Sequence, residues 1–292
     1  GAGNGLGRVH ALNLAARGAR VVVNDFGGSR DGTGGSSAAA LAVVEEIRRS
    51  GGQAIANGAN VTDFEQVQAM AAQARAEFGR IDILVNNAGI LRDKSFSKMD
   101  MADFRAVVDV HLMGSAYCSK AVWETMREQN YGRILMTTSS SGLFGNFGQA
   151  NYGAAKVGLV GLMHMLTIEG IKNDIRVNTI APIAATRMTE DVFAGDLLGA
   201  VKPEQVTPGA LFLVSEEAPR NIILSAGGGA FSAARIVDTA PVYLGPADCT
   251  PEGVAGHFGL ITDRDGERAY ESSNHQVQAL IGAATAGLAA AA

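Results

Sequence analysis

Two groupings of residues in this sequence have types and spacing suited to chemistry. Tyr152 and Lys156 stand four apart in a run with helical periodicity, which puts both on one face, one turn apart. A free tyrosine titrates near ~10, too high for a base at neutral pH, and a neighbouring ammonium favours the phenolate. Such a pair takes and returns a hydroxyl proton, the work of an acid/base group in alcohol oxidation or ketone reduction. The same spacing also arises by chance on solvated helix surfaces, so its meaning depends on what accompanies it.

The second grouping is Gly1-Ala2-Gly3-Asn4-Gly5-Leu6-Gly7, directly before a helical run. Glycines there let the backbone approach a pyrophosphate, and the helix N-terminus adds N–H donors and partial positive charge. Asp25 follows at the end of the next apolar run, about ~20 residues on, where a carboxylate meets the ribose hydroxyls of an adenine dinucleotide. It would repel a 2′-phosphate, and neither Asn4 nor Phe26 brings positive charge for one, so the electrostatics point to NAD over NADP. Glycine-rich loops also precede helices for structural reasons, and Asp25 before Gly27-Gly28 suits a turn; these readings are compatible with the first.

The elements that must position these residues alternate along the chain. Helices are expected at Val9 to Arg17, Ala38 to Arg49, Phe64 to Phe78, Phe104 to Glu128, Tyr152 to Gly170 and Pro208 to Val214. Strands are expected at Ala19 to Asn24, Gln53 to Asn57, Ile81 to Val85, Arg133 to Thr138, Ile175 to Ile180 and Ile222 to Leu224. Strands alternating with helices imply right-handed crossovers and an α/β, Rossmann-type doubly wound parallel sheet. The glycine turn at Gly1 needs a strand before it, so the first strand, the centre of the sheet, is expected to be missing from the sequence. The core is expected to span residues 1–225, followed by a C-terminal extension at 226–292. Gly27 to Ser37, with five glycines, reads as a flexible cofactor-side loop.

Composition narrows the function classes. A net charge of −5 with Lys and Arg scattered among acids offers no basic face, so nucleic acid is not an expected partner. No uninterrupted apolar stretch reaches the roughly 20 residues of a membrane span, and no membrane association is expected. Cys118 and Cys249 have no metal-ligand spacing and read as two buried, unpaired thiols in a reducing compartment, with no zinc.

Several stretches together resemble the short-chain dehydrogenases/reductases from Gly1 to about residue 225. They are the turn at Gly1, Gly5 and Gly7, Asn86-Asn87-Ala88-Gly89, Ser139, the Tyr152/Lys156 pair, and Asn178 with Pro182. Val23 to Gly28, Asn86 to Phe96 and Gly145 to Tyr152 look most like the (3R)-hydroxyacyl-CoA dehydrogenase domains of peroxisomal multifunctional enzymes type 2, also called 17β-hydroxysteroid dehydrogenases type 4. The resemblance implies that Ser139, thirteen positions before Tyr152, hydrogen-bonds the substrate oxygen as charge develops. It places Asn87, Ala88 and Gly89 along the cofactor ribose and Asn60 and Val61 beside the adenine. Ile183, Ala184 and Thr186 fall near the carboxamide, where Ile183 departs from the family's usual glycine. His111 stands where many members carry an asparagine of a proton relay; it is either a relay residue behind Lys156 or a satisfied core histidine. Arg92, Lys94 and Arg187 are candidates for coenzyme A phosphates, with solvated surface charge as the blander reading. The segment after Pro182, with Gly195 and Gly199, corresponds to the family's substrate loop.

The function the resemblance implies is NAD-dependent oxidation of a (3R)-hydroxyacyl-CoA, with a fatty or steroid side-chain thioester as substrate. A 3-oxoacyl reductase, a hydroxysteroid dehydrogenase on a free alcohol and a non-catalytic dinucleotide-binding subunit are the alternatives. The resemblance also implies a homodimer or homotetramer formed through the long helices. The C-terminal Ala289-Ala290-Ala291-Ala292, unlike a Ser-Lys-Leu address, suggests a cytoplasmic protein.

Overall fold

The computed structural model describes residues 1–185 and 201–291, in two compact units, Gly1–Ala234 and Arg235–Ala292. In the first unit, β1 (Arg20–Asn24) and β2 (Gln53–Asn57) form a parallel pair. A second sheet runs β3 (Ile83–Asn86), β4 (Gly132–Thr137), β5 (Ile175–Ile183), β6 (Ile223–Gly227), all parallel, and ends in an antiparallel β7 (Ala230–Ala234). The sequence pattern had no signal for β7, and the expected boundary at 225/226 falls inside β6.

The helices are α1 (Gly5–Ala16), α2 (Ala38–Arg49), α3 (Phe64–Phe78), α4 (Met101–Val108), α5 (Gly114–Gln129), α6 (Ser140–Phe144), α7 (Ala150–Gly170) and α8 (Thr207–Phe212). Local chemistry sets their ends. Asp63 caps α3 by accepting from the Glu65 and Gln66 amides, and Gly79 at φ 79° stops it in the left-handed region. Alternation along β4 sends Ile134 and Met136 into a core with Trp123, Met126, Leu159 and Met163, while Leu135 joins Ile180, Val206 and Leu213.

The helix expected from Phe104 to Glu128 is two helices separated by a π-helical turn, Asp109–Met113. Hydrophobic periodicity cannot register one wide turn. Ser115 Oγ donates to the His111 carbonyl at 2.6 Å, a side-chain bond that competes with the helical ladder there.

Three further readings meet observations of their own, and of these the burial of both cysteines is corrected. The stretch Ala150–Asn173, α7 with its short 3₁₀ continuation, is long and apolar enough to cross a membrane. Its Leu159, Val160 and Met163 instead pack in the core. Cys118 is buried, but Cys249 is exposed. The loop expected to be flexible is closed by internal bonds: Asp31 Oδ1 accepts from Ser29 Oγ and from the Thr33 amide and hydroxyl. Those bonds hold the Asp31 carboxyl at about 2.

The second unit contains α9 (Pro251–Gly256), α10 (Phe258–Ile261) and α11 (Ser273–Ala291). Gly287 of α11 lies against Tyr243, where a Cβ would come within 2.0 Å of the ring.

Candidate active site

The chemistry-bearing side chains gather around the carboxyl end of β4 and the start of α7. Ser139 follows β4 and caps α6, its Oγ accepting from the Ser141 amide at 3.2 Å. Tyr152 lies in the first turn of α7 and Lys156 one turn on, its Nζ 5.4 Å from the Tyr152 ring centre. Lys156 is buried and donates to the Thr137 carbonyl at 2.5 Å, while Thr138 Oγ1 donates to the Lys156 carbonyl at 2.7 Å.

His111 projects from the π turn, edge-on to Tyr152 with 5.2 Å between ring centres. Its Nε2 lies 2.8 Å from the Ile90 carbonyl and 3.1 Å from the Ile90 amide. The shorter contact favours Nε2–H donating to the carbonyl, which leaves Nδ1 as an acceptor; Nδ1 has no partner among the described residues. Burial and then the Lys156 charge push the imidazole well below its usual value, so it is neutral at pH 7.

Two contributors carried no sequence signal. Asn151 is fully buried, donates to the Arg92 carbonyl at 3.0 Å and accepts the Tyr152 amide at 2.7 Å, fixing the entry of α7. Thr138, equally buried, ties β4 to the Lys156 turn. A lone Asn or Thr beside a strand or helix end is too common for spacing alone to reveal such roles.

The expected lowering of the tyrosine by the lysine is not what this chain's own groups produce. Burial pushes the Tyr152 phenol up, with the Ser139 hydroxyl opposing it and Asp93 adding to it. Burial also pulls Lys156 down to about 7. Desolvation is the largest cause at both groups.

The glycine turn fits a dinucleotide. A Cβ on Gly7 would fall 2.0 Å from the Gly1 carbonyl, and one on Gly1 would fall 2.8 Å from Ala88 Cα, so only glycine permits this approach. Gly5 opens α1 at φ 50°, a left-handed conformation. Exposed Asn4 makes no side-chain cap and no acidic residue sits in the first turn of α1, so the helix terminus suits an anion. Asp25 Oδ2 accepts from the Gly3 amide at 2.8 Å and Oδ1 from the Gly27 amide at 2.7 Å, so the carboxylate both builds the turn and stands beside it.

The other expected cofactor residues divide. Asn87 Nδ2 donates to the Gly1 carbonyl at 2.7 Å and, with Ala88, borders the turn, whereas Gly89 lies against His111. Leu6 packs its side chain into the core. Asn60 Oδ1 is held by the Thr62 amide and hydroxyl, and Val61 packs at Gly114. Ile183 is exposed at the end of β5, whereas Ala184 is buried. Thr186, Arg187, Gly195 and Gly199 lie outside the described residues. Arg92 pairs with Asp103 at 3.0 Å and donates to the Asp31 carbonyl, and Lys94 sits 3.7 Å from Asp103. Asn178 bridges the Leu213 and Pro219 carbonyls and the Ile222 amide, a brace between β5 and β6.

A mostly parallel α/β architecture with a glycine turn at a helix terminus and a half-buried tyrosine beside a buried lysine near the strand ends defines a nicotinamide-dinucleotide oxidoreductase. Comparison with known proteins agrees: the profile of the short chain dehydrogenases matches residues 1–196, and the chain belongs to the short-chain dehydrogenase family. It is 45% identical over 284 residues to peroxisomal multifunctional enzyme A of Dictyostelium discoideum, covering 97% of this chain and 63% of that protein. The full-length peroxisomal multifunctional enzyme type 2 of Drosophila melanogaster aligns with TM-score 0.79 and 36% identity over 98% of this chain and 49% of that one. A 7α-hydroxysteroid dehydrogenase complexed with NADH and 7-oxo glycochenodeoxycholic acid aligns with TM-score 0.70 and 32% identity, over 79% of this chain and 91% of that one. The chain spans 31% to 63% of the length of the first curated relatives it matches. Those relatives are peroxisomal by name, which overturns the cytoplasmic expectation; an alanine run at the C-terminus was too weak a signal to place the protein.

Proposed function

We propose that the chain oxidises the 3-hydroxyl of a (3R)-hydroxyacyl-CoA thioester, fatty or steroid side-chain, using NAD⁺. The observation that carries this reading is the convergence of Ser139, Tyr152 and Lys156 at the carboxyl end of β4 and the start of α7, in a chain whose glycine turn opens α1. Ser139 Oγ, half-buried and at the head of α6, is set to donate to the substrate oxygen and hold it against Tyr152. Tyr152 accepts the hydroxyl proton as the C3–H bond breaks, and the proton passes on through Lys156. Behind that lysine, the unpaired Nδ1 of His111 is an acceptor that a water can use to complete the relay. The hydride acceptor is the nicotinamide of bound NAD⁺, whose positive charge also favours the phenolate that burial alone disfavours. Asp25 supports NAD over NADP, because a carboxylate held by two amides at the turn repels a 2′-phosphate.

The acyl chain finds apolar surface near the site. The Lys94 amide donates to the Gly148 carbonyl, joining two loops that carry Phe96 and Phe147, 70% and 89% exposed. The ion pair of Arg92 with Asp103 supports the surface-charge reading of this residue over coenzyme A recognition. Association through α7 is supported by a row of exposed apolar residues, Val157, Met165 and Ile168, at helical spacing around Gly161. The likeness to a hydroxysteroid dehydrogenase favours a second reading, oxidation of a free steroid alcohol by the same residues.

Reduction of NAD⁺ and NADP⁺, followed by absorbance with (3R)- and (3S)-hydroxyacyl-CoA thioesters and with free hydroxysteroids, tests both readings. Turnover of the (3R)-thioester with NAD⁺, reduced about 10²–10⁴-fold in Tyr152→Phe without loss of dinucleotide binding, is the expected result. An NAD-binding preparation that oxidises none of the thioesters overturns the acyl-CoA reading.

A further inference from the structure

Three hydrogen bonds clamp the loop after β3 onto the head of α7. The Asn151 side chain donates to the Arg92 carbonyl at 3.0 Å, Gln149 Nε2 to Asp93 Oδ2 at 2.7 Å, and the Lys94 amide to the Gly148 carbonyl at 2.9 Å. The clamp reaches Tyr152 itself, because Asn151 Oδ1 accepts the Tyr152 amide at 2.7 Å. Gln149 stands at the N-cap of α7, three residues before Tyr152, and its carbonyl takes the first helical bond, from the Gly153 amide at 2.7 Å. Residues three apart at a helix end are neighbours, so the carboxylate that Gln149 holds is set alongside Tyr152.

No cation cancels the charge placed there. Arg92 and Lys94 flank Asp93 in sequence, yet both turn to Asp103 of α4, at 3.0 and 3.7 Å. Asp93 is left with the neutral amide of Gln149, whose Oε1 is in turn held by Asn146 at 2.9 Å. The other groups that face Tyr152 among the described residues are neutral where a phenol titrates, near ~10. His111 of the π turn, edge-on at 5.2 Å, is uncharged already at pH 7, and Lys156 of α7, 5.4 Å from the ring centre, is drawn down by burial to about 7. Ser139 offers only a hydroxyl. Asp93 is therefore the charge that opposes a negative phenolate, in line with its upward push on that group.

We propose that Asp93 is a positioning residue that acts on Tyr152 through its charge, the carboxylate on its Gln149 anchor favouring the proton-bearing phenol in the unloaded protein. The site then keeps its proton when empty and releases it more readily once a positively charged ring lies beside Tyr152. A purely mechanical clamp predicts something else, because asparagine at 93 keeps an oxygen for Gln149 and loses only the charge. The inference rests on Tyr152 as the acid/base group of the proposed activity. Its readout is the phenol of the unloaded protein, so failure of the acyl-CoA reading and failure of this one are separate results.

The test follows tyrosines isotopically labelled at Cζ by NMR through an alkaline titration of the full chain, with circular dichroism at each pH to define the folded range. Tyr152→Phe identifies the resonance among the five tyrosines. At low salt Asp93→Asn lowers the Tyr152 midpoint by about half a pH unit or more, and Asp93→Glu, which restores the charge, does not. Asp93 is exposed, so about 1 M salt lowers the midpoint of the parent by screening and moves that of Asp93→Asn less. The proposal is overturned if Tyr152 of Asp93→Asn titrates as in the parent over the folded range. A drop as large at high salt as at low also overturns it, since that marks a mechanical effect. So does a parent midpoint that salt leaves unmoved, a result that needs no variant to fold.

Discussion

Replacing Gly89 with alanine probes how firmly His111 is held beside Tyr152. An alanine Cβ at this position would lie 2.3 Å from His111 Cε1, against an ordinary contact starting at 3.4 Å, so the ring must retreat by roughly 1 Å. It has little room to do so: it is 1% exposed, its Nε2 is engaged by Ile90, and its edge meets the Tyr152 ring. Gly89 is not among the positive-φ glycines, so the substitution adds steric pressure without backbone strain. Overpacking costs about 1–3 kcal/mol, and loss of the Ile90 hydrogen bond adds about 1. For a protein of this size that sum lowers the thermal midpoint by about 5–15 °C. Displacing the tyrosine by a similar distance lowers turnover by at least ~10-fold. Thermal and urea unfolding of Gly89→Ala, His111→Ala and the double variant provide the assay. Alanine at 111 removes the obstruction, so the Gly89→Ala penalty shrinks to below about 1 kcal/mol in that background. A Gly89→Ala protein that melts within a degree of the parent, or that loses the same stability in both backgrounds, refutes the reasoning.

The remaining predictions concern other parts of the chain. His10 is buried with Nδ1 2.9 Å from Thr207 Oγ1, and burial lowers it from 6.5 to about 4. Between those values the unfolded chain binds the proton and the folded one does not, so stability is present above pH 6.5 and falls by about 3 kcal/mol toward pH 4. His10→Gln makes urea midpoints less sensitive to acid over that range, leaving the slope contributed by His111, and an unchanged pH profile removes the assignment. Met165→Glu, on the exposed row of α7, shifts the protein to smaller species in sedimentation velocity without lowering the melting point of the monomer. Gly282→Ala, in α11 with nothing within 4 Å of the added Cβ, stabilises that helix by about 0.5–1 kcal/mol, read as slower amide exchange across Ser273–Ala291.

The sequence by itself determined the alternation of elements and the identity of the chemical residues. The boundaries expected for Ala38 to Arg49, Gln53 to Asn57 and Phe64 to Phe78 coincide with the observed α2, β2 and α3, because apolar period and terminal residues such as Asp63 and Gly79 are local properties. Gly1 to Gly7, Asp25, Ser139, Tyr152 and Lys156 were legible as a constellation because each is a distinctive residue type at a short or patterned spacing. Tertiary structure alone decided the rest. The π turn that aims His111, the buried bracing by Asn151 and Thr138, and the pairing of Arg92 with Asp103 depend on partners far away in sequence. So does the balance of pKa effects at Tyr152 and Lys156, since desolvation is set by how many distant segments close over a group.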